Sequence, residues 1–212
     1  MTAWIAITRI GGVNLMLPAA IAIAAWLCAA RAWRMAAYWG VLFAGVLCVT
    51  VASKLAFIGW GMGIRWLDFT GVSGHAARAM AVVPVIFLLA LRGAAPRARV
   101  AGVVIGVLLA MLVAISRLAL HAHSVSEVVA GCMLGGAASA LFIGRFDQSR
   151  LVAPRRTVVM LSVLASIAAT SLKPAPTQRW MIASALYLAG HDRPYIRHTW
   201  KMAPQGWNRP AT

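Results

Sequence analysis

Long apolar runs separated by short, arginine-bearing breaks fill most of the chain. A hydrocarbon core of about 30 Å needs about 20 apolar residues per helix. Six runs approach that length: 13–30, 37–60, 73–91, 99–115, 125–142 and 157–172. They predict an all-α fold, an integral membrane six-helix bundle over residues 1–172 with a basic tail over 173–212. Pro18 and Pro84 fall inside the first and third runs, where neighbouring membrane helices can re-satisfy the freed backbone. Gly102-x-x-x-Gly106 and Gly131-x-x-x-Gly135 offer small faces for close helix packing. In the tail, 176–190 has the pattern of an interfacial helix closed by Gly190.

Composition agrees with a membrane protein and removes other classes. Of 212 residues, 62% are hydrophobic and 11% charged, whereas a soluble domain averages about 45–50% apolar and about a quarter charged. The hydrophobicity excludes a disordered basic protein. It also argues against a nucleic-acid partner, despite a net charge of +16. Cys28, Cys48 and Cys132 each lie in an apolar run, so buried thiols are expected rather than disulfides.

The arginines orient the bundle. Breaks after the first, third and fifth runs carry nine: Arg31, Arg34, Arg92, Arg97, Arg99, Arg145, Arg150, Arg155 and Arg156. The opposite side carries three, Arg9, Arg65 and Arg117. Positive charge marks the cytoplasmic side, so both termini are expected outside. Arg31 and Arg34 just beyond the first run favour a retained span over a cleaved signal.

Ionisable groups inside membrane spans are costly and point to function. Three clusters fall at the outer ends of runs. Lys54 is followed by Gly59-Trp60-Gly61-Met62-Gly63-Ile64-Arg65; Phe69-Thr70-Gly71-Val72-Ser73-Gly74-His75 precedes Arg78; Ser116-Arg117 precedes His121, His123 and Glu127. His123 and Glu127 are spaced i, i+4 and share a helix face; Glu127 is the only Glu in the chain. A carboxylate there fixes the imidazole tautomer. Ser124-x-x-Glu127 also fits a capping box, and both roles can hold at once. Gly71, Ser73 and Gly74 open a helix whose N–H groups suit a phosphate, with Ser73 as an N-cap the plainer reading. His121 reads as a polar loop residue, and Asp68 as the surface partner of Arg65.

Together these residues resemble the type 2 phosphatidic acid phosphatase superfamily. That family carries Lys-x6-Arg-Pro, Pro-Ser-Gly-His and Ser-Arg-x5-His-x3-Asp motifs. Here Val72 replaces the Pro, Glu127 replaces the Asp, and Gly61-Met62 stand where Arg-Pro is usual. The resemblance implies catalytic roles for His123 as nucleophile, His75 as general acid and base, and Glu127 as the acid behind His123. It implies phosphate binding by Lys54, Ser73, Gly74 and Arg117. Arg65, Arg78 or a tail arginine can stand in for the missing basic residue. A tail folded over the site is a further expectation; Arg193-Pro194 lacks a Lys partner and is not read as the lost motif. No metal and no cofactor are implied.

The expected substrate is a membrane lipid phosphate, a polyprenyl diphosphate such as undecaprenyl diphosphate first, phosphatidic acid or phosphatidylglycerophosphate next. The expected place is the outer face of a bacterial inner membrane, the bacterial setting being an expectation from the Ala/Arg-rich composition. Trp60, Trp66 and Trp180 are positioned as interface anchors. Two alternatives remain: a lipid phosphotransferase using the same residues, and a non-enzymatic transporter or lipid-binding protein with a degenerate site.

Overall fold

The computed structural model describes residues 2–146, 160, 162, 164, 168, 177–190 and 192–202. Helices α1 (Thr2–Ile10) and α2 (Val13–Ala29) are broken at Gly11-Gly12; α3 is Trp33–Trp60, α4 Gly74–Ala90, α5 Pro96–Ala119 and α6 Val125–Gly144. In the tail, α7 is Thr177–Ala189 and α8 is Arg197–Met202. Among the described residues there is no sheet; one bridge between Ile64 and Phe69 closes the α3–α4 loop around a 3-10 turn, Arg65–Leu67.

Among the described residues, four stretches are long and apolar enough to cross a membrane: Thr2–Ala29 taken through its break, Trp33–Trp60, Pro96–Ala119 and Val125–Gly144. Helix α4, at 17 residues, falls just under that length. The expected run 157–172 lies outside the described residues apart from single positions. The run expected over 99–115 is longer than its apolar pattern, because Pro96 starts the helix at a position needing no N–H and Arg117 suits its last turn.

Helix α4 sits at the centre. It is short, Ala-rich and buried along most of its length, and α5 and α6 pack closely against it. Small residues make that approach possible. A Cβ at Gly131 would lie 2.7 Å from Ser73 O, one at Gly135 would strike Ala77 O, and one at Gly106 would lie 2.8 Å from the Pro84 Cα. Both glycine pairs therefore serve packing, as their spacing predicts. Helix α5 shows the complementary face, where Val100, Val104, Leu108, Leu112 and Ile115 point outward as lipid-facing residues do. Trp39 on α3 donates its indole N–H to Ala20 O on α2 at 2.9 Å.

The expectation of three buried thiols needs correction. Cys28 and Cys132 are half-buried and Cys48 is exposed; all three are free. An apolar run in a bundle has a lipid-facing side as well as a packed one, and α3 turns Cys48 outward. The helix expected over 176–190 appears as α7, ended by Gly190 at φ +65°. It packs on the C-terminal end of α3, with Ala185 and Ala189 against Gly59.

Candidate active site

The C-terminal ends of α3 and α5 and the N-terminal ends of α4 and α6 meet at one end of the bundle. Val72 N–H donates to Ser53 Oγ at 3.0 Å, and Ser73 N–H donates to Glu127 O at 3.0 Å. These bonds set the start of α4 against α3 and α6. All three polar clusters, spread over residues 54–127, are thereby brought within hydrogen-bond and electrostatic reach.

Glu127 is the most heavily bonded group there. Its side chain is 1% exposed. Oε2 lies 2.7 Å from His123 Nδ1 and accepts Ser124 N–H at 3.3 Å. Because a carboxylate can only accept, His123 carries its proton on Nδ1 and leaves the Nε2 lone pair free. Ser124 Oγ accepts Glu127 N–H, completing the capping box. Capping and histidine orientation thus coexist on one carboxylate. Oε1 accepts Thr70 N–H at 2.8 Å, Thr70 Oγ–H at 2.5 Å and Arg197 Nη2–H at 2.5 Å.

The other cluster is cationic and less satisfied. His75 lies within electrostatic reach of Arg117, Arg78, Lys54 and His123. Arg117 Nη1 donates to Thr8 Oγ1 of α1 at 2.8 Å, and Arg78 Nη2 donates to Gly11 O at 3.3 Å. Ser73 occupies the N-cap position of α4 but makes no capping bond. Its Oγ, fully buried, has no hydrogen-bond partner among the described residues; nor have Arg78 Nε, Arg117 Nε and Thr50 Oγ1. Leaving a buried polar atom unpaired costs about 1–3 kcal/mol. Several such atoms beside four cationic or basic groups make a cradle for an anion.

His123, in the loop before α6, has its pKa held below the usual 6.5. Burial is the main cause, with Lys54 and Arg117 adding to it, and together they outweigh the Glu127 bond and charge. The imidazole is therefore neutral, and its free nitrogen available, over more of the pH range than an exposed histidine.

Other residues are placed elsewhere. Arg65 stacks over the Trp200 ring at 5.4 Å, and Ser116 Oγ–H is committed to Val113 O at 2.6 Å. His121 lies at positive φ in an exposed loop. Asp68 pairs with the tail, 2.9 Å from Lys201 Nζ and 3.7 Å from Arg197 Nε. Sequence reasoning named a tail arginine without finding Arg197, and gave Thr70 no role. Neither belongs to a motif. The available signal was a basic tail, carrying Arg197 and Lys201, in a chain with only four acids, two of which, Asp68 and Glu127, lie in the site clusters.

A helical, multi-pass chain with a buried His–carboxylate pair beside a cationic cradle suited to an anion is the architecture that the fold and the site define. Residues 16–150 match the PAP2 superfamily, and the chain belongs to that family, whose members are typically phosphatases. A relative from Klebsiella pneumoniae, described as an uncharacterized 22.5 kDa protein in cps region, is 38% identical over 92% of this chain and 95% of its own length. No solved structure matches.

Proposed function

We propose that the protein is a metal-independent lipid phosphatase of the outer face of a bacterial inner membrane, working through a phospho-histidine. The observation that carries this reading is the 2.7 Å bond between Glu127 and His123 Nδ1, which leaves Nε2 free beside the cationic cradle. Nε2 attacks phosphorus, and the bond from phosphorus to the leaving oxygen breaks. His75 protonates that oxygen, which departs as a lipid alcohol or, from a diphosphate, as the lipid monophosphate. His75 then takes a proton from water. The water oxygen attacks phosphorus, the P–N bond breaks, and inorganic phosphate leaves.

Lys54, Arg117, Ser73 and the Gly74 N–H hold the phosphoryl oxygens throughout. Phosphoryl transfer depends mostly on positioning and charge stabilisation, which these groups supply without a metal. A polyprenyl diphosphate is ranked first as substrate, phosphatidic acid and phosphatidylglycerophosphate next. Exposed Trp60, Trp66 and Trp180 support a site at the membrane surface, where the lipid chain stays in the bilayer. The test is phosphate release from a panel of these lipids by purified protein, with and without chelator. Release unaffected by chelator and abolished in His123→Ala is expected; equal release by that variant overturns the mechanism.

A further inference from the structure

The tail reaches the site through contacts that converge on Glu127. Tyr195 N–H donates to Ile58 O at 2.9 Å, and its ring covers Gly61, where a Cβ would come within 2.9 Å. Trp200 packs edge-on against Phe57 at 5.3 Å and covers Gly63, where a Cβ would lie 2.8 Å from the indole. Lys201 is paired with Asp68 at 2.9 Å. Between these anchors, Arg197 Nη2 donates to Glu127 Oε1 at 2.5 Å and to Thr70 Oγ1 at 3.1 Å. The glycines at 61 and 63 flank Met62, in the segment that departs from the family motif. In this chain that surface is occupied by the tail's aromatic rings.

We propose that Arg197 is a positioning residue for the nucleophile, delivered by a tail that docks on the glycine-bearing end of α3. A carboxylate offers about four lone-pair directions. Thr70 and Arg197 take those of Oε1, so Oε2 is held facing His123 and Ser124. Arg197 touches neither the nucleophile nor the phosphate cradle in these contacts. It acts through Glu127, by fixing the carboxylate plane and balancing a charge that is otherwise buried beside one imidazole. For its chemistry the proposal rests on the phosphatase reading above.

The test uses the full-length chain in lipid nanodiscs, with a polyprenyl diphosphate as substrate and 15N-labelled histidine. His123 signals are assigned by their loss in His123→Asn. Arg197→Ala is expected to lower kcat about 10–100-fold, as a small misplacement of a catalytic group does, with KM changed less than about threefold. Guanidinium ion is expected to restore part of the kcat, and the Nδ1–H signal of His123 to move in the variant and return with guanidinium. Lys201→Ala removes one tail anchor but keeps the Tyr195 and Trp200 docking, and is expected to leave that signal unmoved.

An active wild type with unchanged kcat and an unmoved His123 signal in Arg197→Ala overturns the proposal. A loss that guanidinium does not restore, with collapsed histidine spectra, also overturns it, because Arg197 would then serve only the fold. A wild type inactive on every lipid tested, in which the His123 signal still responds to Arg197→Ala, overturns the phosphatase reading and leaves the positioning role standing. A wild type inactive on every lipid, with a signal that does not respond, overturns both.

Discussion

The two halves of the site are built on opposite principles. Around Glu127 every acceptor direction is used: His123, Ser124, Thr70 and Arg197 all point at one carboxylate. Around Ser73 buried polar atoms have no partner among the described residues, and Arg117 and Arg78 each have a guanidinium nitrogen unmatched. The first half is satisfied by protein groups; the second keeps donors without a protein partner among the described residues. A group that must hold one geometry through a reaction benefits from full satisfaction. A group that must receive phosphate is better left with donors to offer. On the proposed reading, the first half orients the nucleophile and the second binds the phosphoryl group.

Substitutions on the two sides should therefore fail differently. The largest effect is expected for His123→Ala, a loss of about ten-thousandfold or more in kcat, with inorganic phosphate still binding. Next is Glu127→Gln, expected to cost about a thousandfold in kcat because the imidazole loses its fixed tautomer. It should also lower the melting temperature, since Arg197 loses its anionic partner. A smaller and different effect is expected for Ser73→Ala. It breaks no bond among the described residues, so the melting temperature should hold while phosphate affinity falls about tenfold, the worth of roughly 1.5 kcal/mol. Should Ser73→Ala instead unfold the protein and spare affinity, the division between the halves is wrong.

Arg65→Ala is expected to do least. A stacked guanidinium contributes about 0.5–1 kcal/mol at an exposed site, so tail docking weakens slightly and phosphate affinity stays within about twofold. A large loss of phosphate affinity would return Arg65 to the cradle. The pH dependence sharpens the other half. Protonated His123 cannot attack, and burial holds its pKa below the usual 6.5. The acid limb of kcat/KM is thus expected below pH 6.5; a limb above it would mean that the Glu127 charge outweighs burial.

How much of this the sequence carried differs between the same two regions. The cradle was legible, since Lys54, Ser73, Gly74, His75 and Arg117 sit at family spacings and helix ends. The His123–Glu127 pair was legible from i, i+4 geometry and the rarity of acid. The rest of the Glu127 half was not. Thr70 and Arg197 are 127 residues apart and meet only because Tyr195 and Trp200 fill space above Gly61 and Gly63. Such aromatic docking follows no period and no motif. Asp68 was misassigned for the same reason: local reasoning supplied Arg65 as partner, while the fold supplies Lys201 and Arg197. The five apolar runs that fall among the described residues became helices, with ends displaced by a few residues, as where Pro96 starts α5 ahead of its apolar pattern. The starting helix α1 was missed, although its Thr8 holds Arg117.

In the proposed mechanism His123 takes the phosphoryl group while Glu127 holds the imidazole from behind. Acid-sensitive labelling tests that directly: mix the protein with lipid diphosphate carrying 32P in the terminal phosphate, quench in alkali within milliseconds, and map the label. An alkali-stable, acid-labile label on His123, absent in His123→Ala, is expected. Label on any other residue, or label that persists in His123→Ala, contradicts it.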